Sequence, residues 1–114
     1  MDKIIAETVL ARANGYCERC GKPSSDLALH HRKLKSRGGK DEVSNLVGVC
    51  HPCHNLGTDS IHLNPTKATV KGWMVPTYAD TEKYPLHLPD SRIVRLDNEG
   101  NYIEIEGESW QELK

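Results

Sequence analysis

Four cysteines, three histidines and one asparagine carry most of the chemical information in this 114-residue chain. The cysteines fall in two pairs, Cys17-x2-Cys20 and Cys50-x2-Cys53, with 29 residues between them. Each pair presents two thiolates from one turn, and four sulfurs can close a tetrahedral shell around zinc at about 2.3 Å. A closed shell has no open coordination position, so such an ion would hold the fold and do no chemistry. Two disulfides or free core cysteines are the alternatives, and paired CxxC motifs in an unsecreted chain favour the metal. His51 lies inside the second pair and could substitute as a ligand, but four thiolates suffice. Between the pairs lie His30-His31 and then Asn45; His54 follows the second pair directly. These residue types suit phosphodiester hydrolysis. A neutral imidazole can take a proton from water. A divalent cation can stabilise the charge that develops on phosphate and leaving oxygen. An amide or backbone carbonyl can hold the base in one tautomer. Each residue alone has a plainer reading: a surface His is usually solvated, and an Asn is more often a turn residue.

Those side chains need elements to position them. Residues 3–13 read as an amphipathic helix, with Ile4, Ile5, Val9 and Leu10 near helical spacing and Asn14-Gly15 as its stop. Tyr16 to Pro23 fits a tight knuckle with two thiols at its base. Leu27, Leu29 and Leu34 suggest a strand carrying the His pair. Adjacent residues on a strand point to opposite faces, so one site using both His30 and His31 needs a bulge or distortion. Ser36 to Gly39 is a turn or loop. Leu46 to Val49 is a short strand delivering Cys50, and Cys53 to Gly57 begins a helix or forms one short helix. Asn64-Pro65 starts a further helix that runs to about Lys71 and stops at Gly72. Trp73 to Val75 reads as a short strand. Beyond it, Leu86–Leu88, Arg92–Leu96 and Tyr102–Ile105 read as strands, the last two joined as a hairpin through Asp97 to Gly100.

Composition bounds the rest. The chain is 37% apolar and has no Phe, so a metal staple would help a modest core. Net charge is −1, but the distribution is uneven: residues 1–57 carry nine Lys/Arg against six Asp/Glu, residues 58–114 six against ten. A polyanion should therefore meet the first half. The first residues do not resemble a secretory signal, and no stretch approaches a membrane span. The expected location is cytoplasmic.

The series Cys17-x2-Cys20, Leu29-His30-His31, Gly38-Gly39, Ser44-Asn45-Leu46 and Cys50-x2-Cys53-His54-Asn55 resembles the HNH endonucleases. The likeness covers residues 16–57 closely. It implies an α+β fold: a ββα-metal core with a structural zinc knuckle, an N-terminal helix and a C-terminal β-hairpin. By position it implies His31 as general base, Asn45 as the brace of the hairpin loop that also helps orient the base, and His30 and His54 as ligands of one catalytic divalent ion. Asn55 is a lesser candidate beside the metal. His30 stands where the family more often has Asp. Imidazole favours Zn²⁺, Ni²⁺ or Co²⁺ over Mg²⁺, which prefers oxygen, so transition ions should support activity at least as well as Mg²⁺. Mn²⁺ is a further candidate. The remainder, with His62, Pro65 and Gly72-Trp73, more loosely resembles small phage and actinobacterial HNH proteins. That likeness alone suggests a phage terminase as partner.

Arg32, Lys33, Lys35, Arg37 and Lys40 place five positive charges in nine residues with no acid among them. They are positioned to hold a DNA backbone, or they are simply a solvated loop. No recognition helix is evident, so sequence specificity should be weak or come from a partner. His62 is open between a helix cap, a phosphate contact and an outer-shell group, with a structural role favoured; Trp73, His87 and Trp110 read as structural, and the tail from Asp97 is acidic. The expected organisation is a nuclease domain over 1–75 and a β extension over 76–114. The rival reading is a non-catalytic zinc-knuckle module that binds nucleic acid or protein.

Overall fold

A computed structural model describes residues 1–105; Trp110 and the last acidic residues lie outside them. Helix α1 spans Lys3–Ala13. The Asp2 carboxylate accepts from the Ile4 N–H at its start, and Asn14 ends it in the left-handed conformation with its N–H on the Leu10 carbonyl. Its buried residues are Val9 and Ala13, whereas Ile4 and Leu10 are exposed. The expected apolar face is thus rotated. Ile5 and Val9 seat the helix, because the hairpin offers Leu29, Val43 and Leu46 to that side.

Strands β1 (Ala28–His31) and β2 (Leu46–Val49) pair antiparallel, with His30 opposite Val47 and His31 opposite Leu46. The register runs without a bulge. Every residue of β2 is buried, because both faces of the hairpin are covered. Leu46 faces α1, and an added Cβ at Gly48 would meet Leu27 and Ala13 on that same side. Val47 and Val49 face the larger apolar cluster, with Ile61, Trp73, Leu86, Val94 and Leu96. That cluster takes residues from both sides of position 75.

Pro52–Leu56 forms a single π-helical turn, closed by the Gly57 N–H on the Pro52 carbonyl. Helix α2 spans Pro65–Lys71, with Pro65 in its first turn and Gly72 at its left-handed end. Asn64 precedes it, but its amide donates backward to the Thr58 and Ser60 carbonyls instead of capping the helix. Gly72 is required there: a Cβ would lie 1.9 Å from the Pro85 carbonyl oxygen. Trp73 to Val75 is buried but is not a strand. The Trp73 carbonyl accepts from the His30 ring, and the Val75 N–H donates to the Arg32 carbonyl, so no ladder forms. Strands β3 (Leu86–His87), β4 (Ile93–Leu96) and β5 (Tyr102–Glu104) make a three-stranded antiparallel sheet in that order. The Asp97 carboxylate caps the β4–β5 turn by accepting from the Glu99 and Asn101 N–H groups.

A buried ionic knot ties these parts together. Glu18, inside the first cysteine pair, accepts two bonds from the Arg12 guanidinium, at 2.7 and 3.1 Å. It also accepts from the Gly48 N–H at 2.7 Å and from the Tyr102 hydroxyl. Arg12 and Glu18 are 2% and 1% exposed, so this carboxylate and guanidinium compensate each other away from water. Arg12 and Arg92 both lie over the Tyr102 ring.

Candidate metal centre and active site

Two groups of metal-ligating side chains converge among the described residues. The first is Cys17, Cys20, Cys50 and Cys53, whose sulfurs lie within 4.8 Å of one another. All four are free thiols, so the disulfide alternative is absent. The Cys20 and Cys50 sulfurs are 3.9 Å apart. Tetrahedral zinc–sulfur bonds of about 2.3 Å set sulfurs about 3.8 Å apart. The Cys17 sulfur accepts from the Cys20 and Cys50 N–H groups at 3.5 and 3.3 Å, as a thiolate would. Burial pushes the Cys20 and Cys53 thiols up. Burial acts the same way on Cys17, but the N–H groups of Cys50 and Cys20 outweigh it and bring that thiol down. The donor set and spacing suit a structural zinc. His51 stays outside it, with its ring 3.0 Å from the Asp26 carboxylate.

The second group is His30, His54 and His62. Sequence reading placed His62 among structural residues; the structure sets its Nε2 3.1 Å from His54 Nε2. The chain reaches this point because the Ile61 and His62 N–H groups donate to the Cys53 and His54 carbonyls. The signal available in the sequence was a further His a short turn beyond the motif's last. Two imidazoles on a tetrahedral ion at 2.0–2.1 Å would set their nitrogens about 3.3 Å apart, close to what is found. His30 is 2% exposed. Its Nε2 lies 2.8 Å from the Trp73 carbonyl oxygen, which can only accept. Nε2 therefore carries the hydrogen, and Nδ1 keeps the lone pair. Burial, then the neighbouring His54 and His62, lower the His30 pKa to about 3 against the opposing pull of the Trp73 carbonyl. Burial also lowers His54, with His62 and His51 adding to it. Rings held neutral at physiological pH are the form that binds metal. Three donors leave a fourth position open, unlike the thiolate shell.

His31 projects from the opposite side of β1, at its last position. Its Nε2 is 2.7 Å from an Asp41 carboxylate oxygen, which Lys35 also approaches at 3.4 Å. This carboxylate was not among the sequence candidates; an amide or carbonyl was expected in its place. The His31 ring, then Lys35, holds the Asp41 carboxyl below the usual range, with slight burial opposing them. Asn45 does not bond to His31. Its oxygen accepts from the Lys33 N–H at 2.7 Å, and its amide donates to the Lys33 and Lys40 carbonyls at 3.0 Å each. It thereby closes the 33–40 loop that leads to Asp41. Gly39 fits inside this closure, since a Cβ there would lie 1.8 Å from the Lys33 carbonyl oxygen. Asn55 is exposed beside His54.

The basic run divides. Arg32 is fully buried and cannot reach a DNA backbone, which corrects the sequence expectation. Its guanidinium donates to the carbonyls of Gly72, Ser44, Thr81 and Tyr84. Burial lowers its pKa to about 9. Alternation along β1 sends this side chain inward, as it sends His30. Lys33 is half-buried, with its ammonium on the Thr77 and Ala79 carbonyls. Lys35 and Lys40 are exposed and Arg37 is partly so.

A zinc-type thiolate shell beside a hairpin that carries paired histidines defines a small α+β metal-site domain. Residues 17–60 match the family model described as HNH endonuclease. A curated relative, the type IV methyl-directed restriction enzyme EcoKMcrA of Escherichia coli (strain K12), is 34% identical over 61 residues. The match covers 46% of this chain and 22% of that protein. No solved structure matches significantly. No helix among the described residues is long and apolar enough to cross a membrane.

Proposed function

We propose that this chain is a metal-dependent DNA endonuclease. The observation that carries the reading is the convergence of His30, His54 and His62 around one open position, with His31 at the end of the same strand, on its other side, and held by a carboxylate. The HNH span and the restriction-enzyme relative support DNA as the polymer. The zinc-knuckle module alone explains the cysteines but not a second, open donor set.

The residues divide the work. Asp41 accepts the His31 Nε2–H, so the His31 Nδ1 lone pair is free to take a proton from water. His30, His54 and His62 would hold a divalent ion, which when bound supplies stabilisation for charge developing on the phosphate and leaving oxygen. Trp73, through its carbonyl, fixes the His30 tautomer for that purpose. Asn45 fixes the loop between Lys33 and Lys40, which carries Lys35 and Arg37 to the phosphate backbone. His31 and the three-histidine group act from the two sides of β1, on a phosphate at the strand's end. An all-imidazole donor set favours Ni²⁺, Co²⁺ or Zn²⁺ over Mg²⁺, with Mn²⁺ between them. Among homing, restriction and packaging, the restriction-enzyme relative supports restriction; packaging beside a phage terminase rests on the looser resemblance.

Supercoiled-plasmid cleavage by wild type and His31→Ala, in Mg²⁺, Mn²⁺, Ni²⁺ and EDTA, tests the proposal. Metal-dependent nicking should be lost in a folded, zinc-loaded His31→Ala. Absence of cleavage by wild type in every metal would remove the enzyme reading in favour of the binding module.

A further inference from the structure

A second cationic surface lies away from the 32–40 loop. Helix α2 presents Lys67 and Lys71 one turn apart, both exposed. With Arg19 they surround a cavity of about 220 Å³ whose floor includes Trp73, Leu88 and Pro89. Like charges at this helical spacing repel, at a cost of about 0.2–0.5 kcal/mol. The compensation is partial. One carboxylate, Asp59, lies 2.8 Å from the Lys67 ammonium and 3.9 Å from the Arg19 guanidinium. Arg19 also donates to the Asp59 carbonyl at 2.7 Å. Lys71 makes no ion pair among the described residues. Three cations thus converge on a concave surface against one acid.

Asp59 and Lys67 bracket the segment that carries His62 into the metal centre. Four residues separate His62 from Lys67, so five steps of chain span at most about 18 Å. A DNA strand rises 3.4 Å per nucleotide, so phosphates within about five nucleotides of the metal are in reach. The other set, Lys35, Arg37 and Lys40, belongs to the loop on the His31 side. We propose that the Arg19–Lys67–Lys71 cavity binds a phosphate of the DNA backbone outside the cleavage position, so that the two cationic sets hold the substrate on either side of the metal centre. Charge counting along the chain points away from this surface, because both lysines come from the net acidic half. The inference rests on the nuclease reading, and its test separates the two.

The test measures binding of a short DNA duplex to zinc-loaded His31→Ala protein by anisotropy, between about 50 and 200 mM salt. In that background, Lys67→Gln/Lys71→Gln should lower the slope of log K against log salt by about 0.9, the share of one phosphate contact, and Lys71→Gln alone should lower it by less. Lys3→Gln/Lys83→Gln makes the same change in net charge elsewhere and should leave the slope unchanged. Equal slopes for the two double variants, both folded by circular dichroism, would overturn the second site while leaving the nuclease reading intact. No binding by the His31→Ala protein itself would overturn the DNA reading and this site with it.

Discussion

His31 and Asp41 meet across the turn that leaves β1, with Nε2 and Oδ1 2.7 Å apart and nine residues between them in the chain. A carboxylate only accepts, so it selects the Nε2–H tautomer and leaves Nδ1 for the proton of water. Asn45 makes this contact possible at one remove, by tying Lys33 to Lys40 just before Asp41.

Asp41→Ala should therefore lower kcat for plasmid nicking on the order of 10- to 100-fold, with KM little changed. Asp41→Glu should recover part of the loss. A fall confined to KM would mean that Asp41 acts only by steering Lys35.

His62→Ala removes one of three donors from the open site and none from the closed one. Metal analysis should fall from about two equivalents of bound ion per chain to about one, with zinc retained by the cysteines. Two equivalents in a folded His62→Ala protein would show that His30 and His54 suffice.

Arg32→Met leaves four carbonyls without their donor in a dry interior. We expect a loss of about 3 kcal/mol or more, read as a Tm lower by at least about 12 °C. Below the new Tm, the salt dependence of DNA binding should match wild type, because this charge is buried. A flatter salt slope would return Arg32 to the DNA surface.

Glu18→Gln removes the carboxylate that Arg12 meets away from water. The cost should be about 3–5 kcal/mol, since a guanidinium is then left buried without its partner. The Gly48 amide, which donates to Glu18, should exchange with deuterium faster in the zinc-loaded variant. Unchanged protection at Gly48 would show that the zinc knuckle and hairpin hold together without the knot.

Strands β1 and β2, α1, α2 and the β4–β5 turn were legible because local signals specify them: Asn14, Pro65 and Gly72 punctuate helices, and Leu46 to Val49 is a run only a covered strand accepts. The CxxC pairs identified their own cluster, since each pair is a local turn and only the closure between them is long-range. The sequence by itself thus determined the hairpin, the thiolate group and the positions of His31, Asn45 and His54 along it. It did not determine which way neighbouring side chains face or what distant segment each would meet. Arg32 read as one of five loop cations, yet its partners lie 12 to 52 residues away. Ile4 read as part of the apolar face of α1 and is 71% exposed. Trp73 to Val75 read as a strand, and its polar groups went to His30 and Arg32 instead. Asp41 carried no local pattern, and His62 carried only its place soon after His54. Only tertiary structure assigned them, because their contacts depend on the Gly57–Ser60 turn and on a loop closed by one asparagine. Burial and long-range hydrogen bonds belong to pairs of segments, and the order of residues along the chain does not encode them locally.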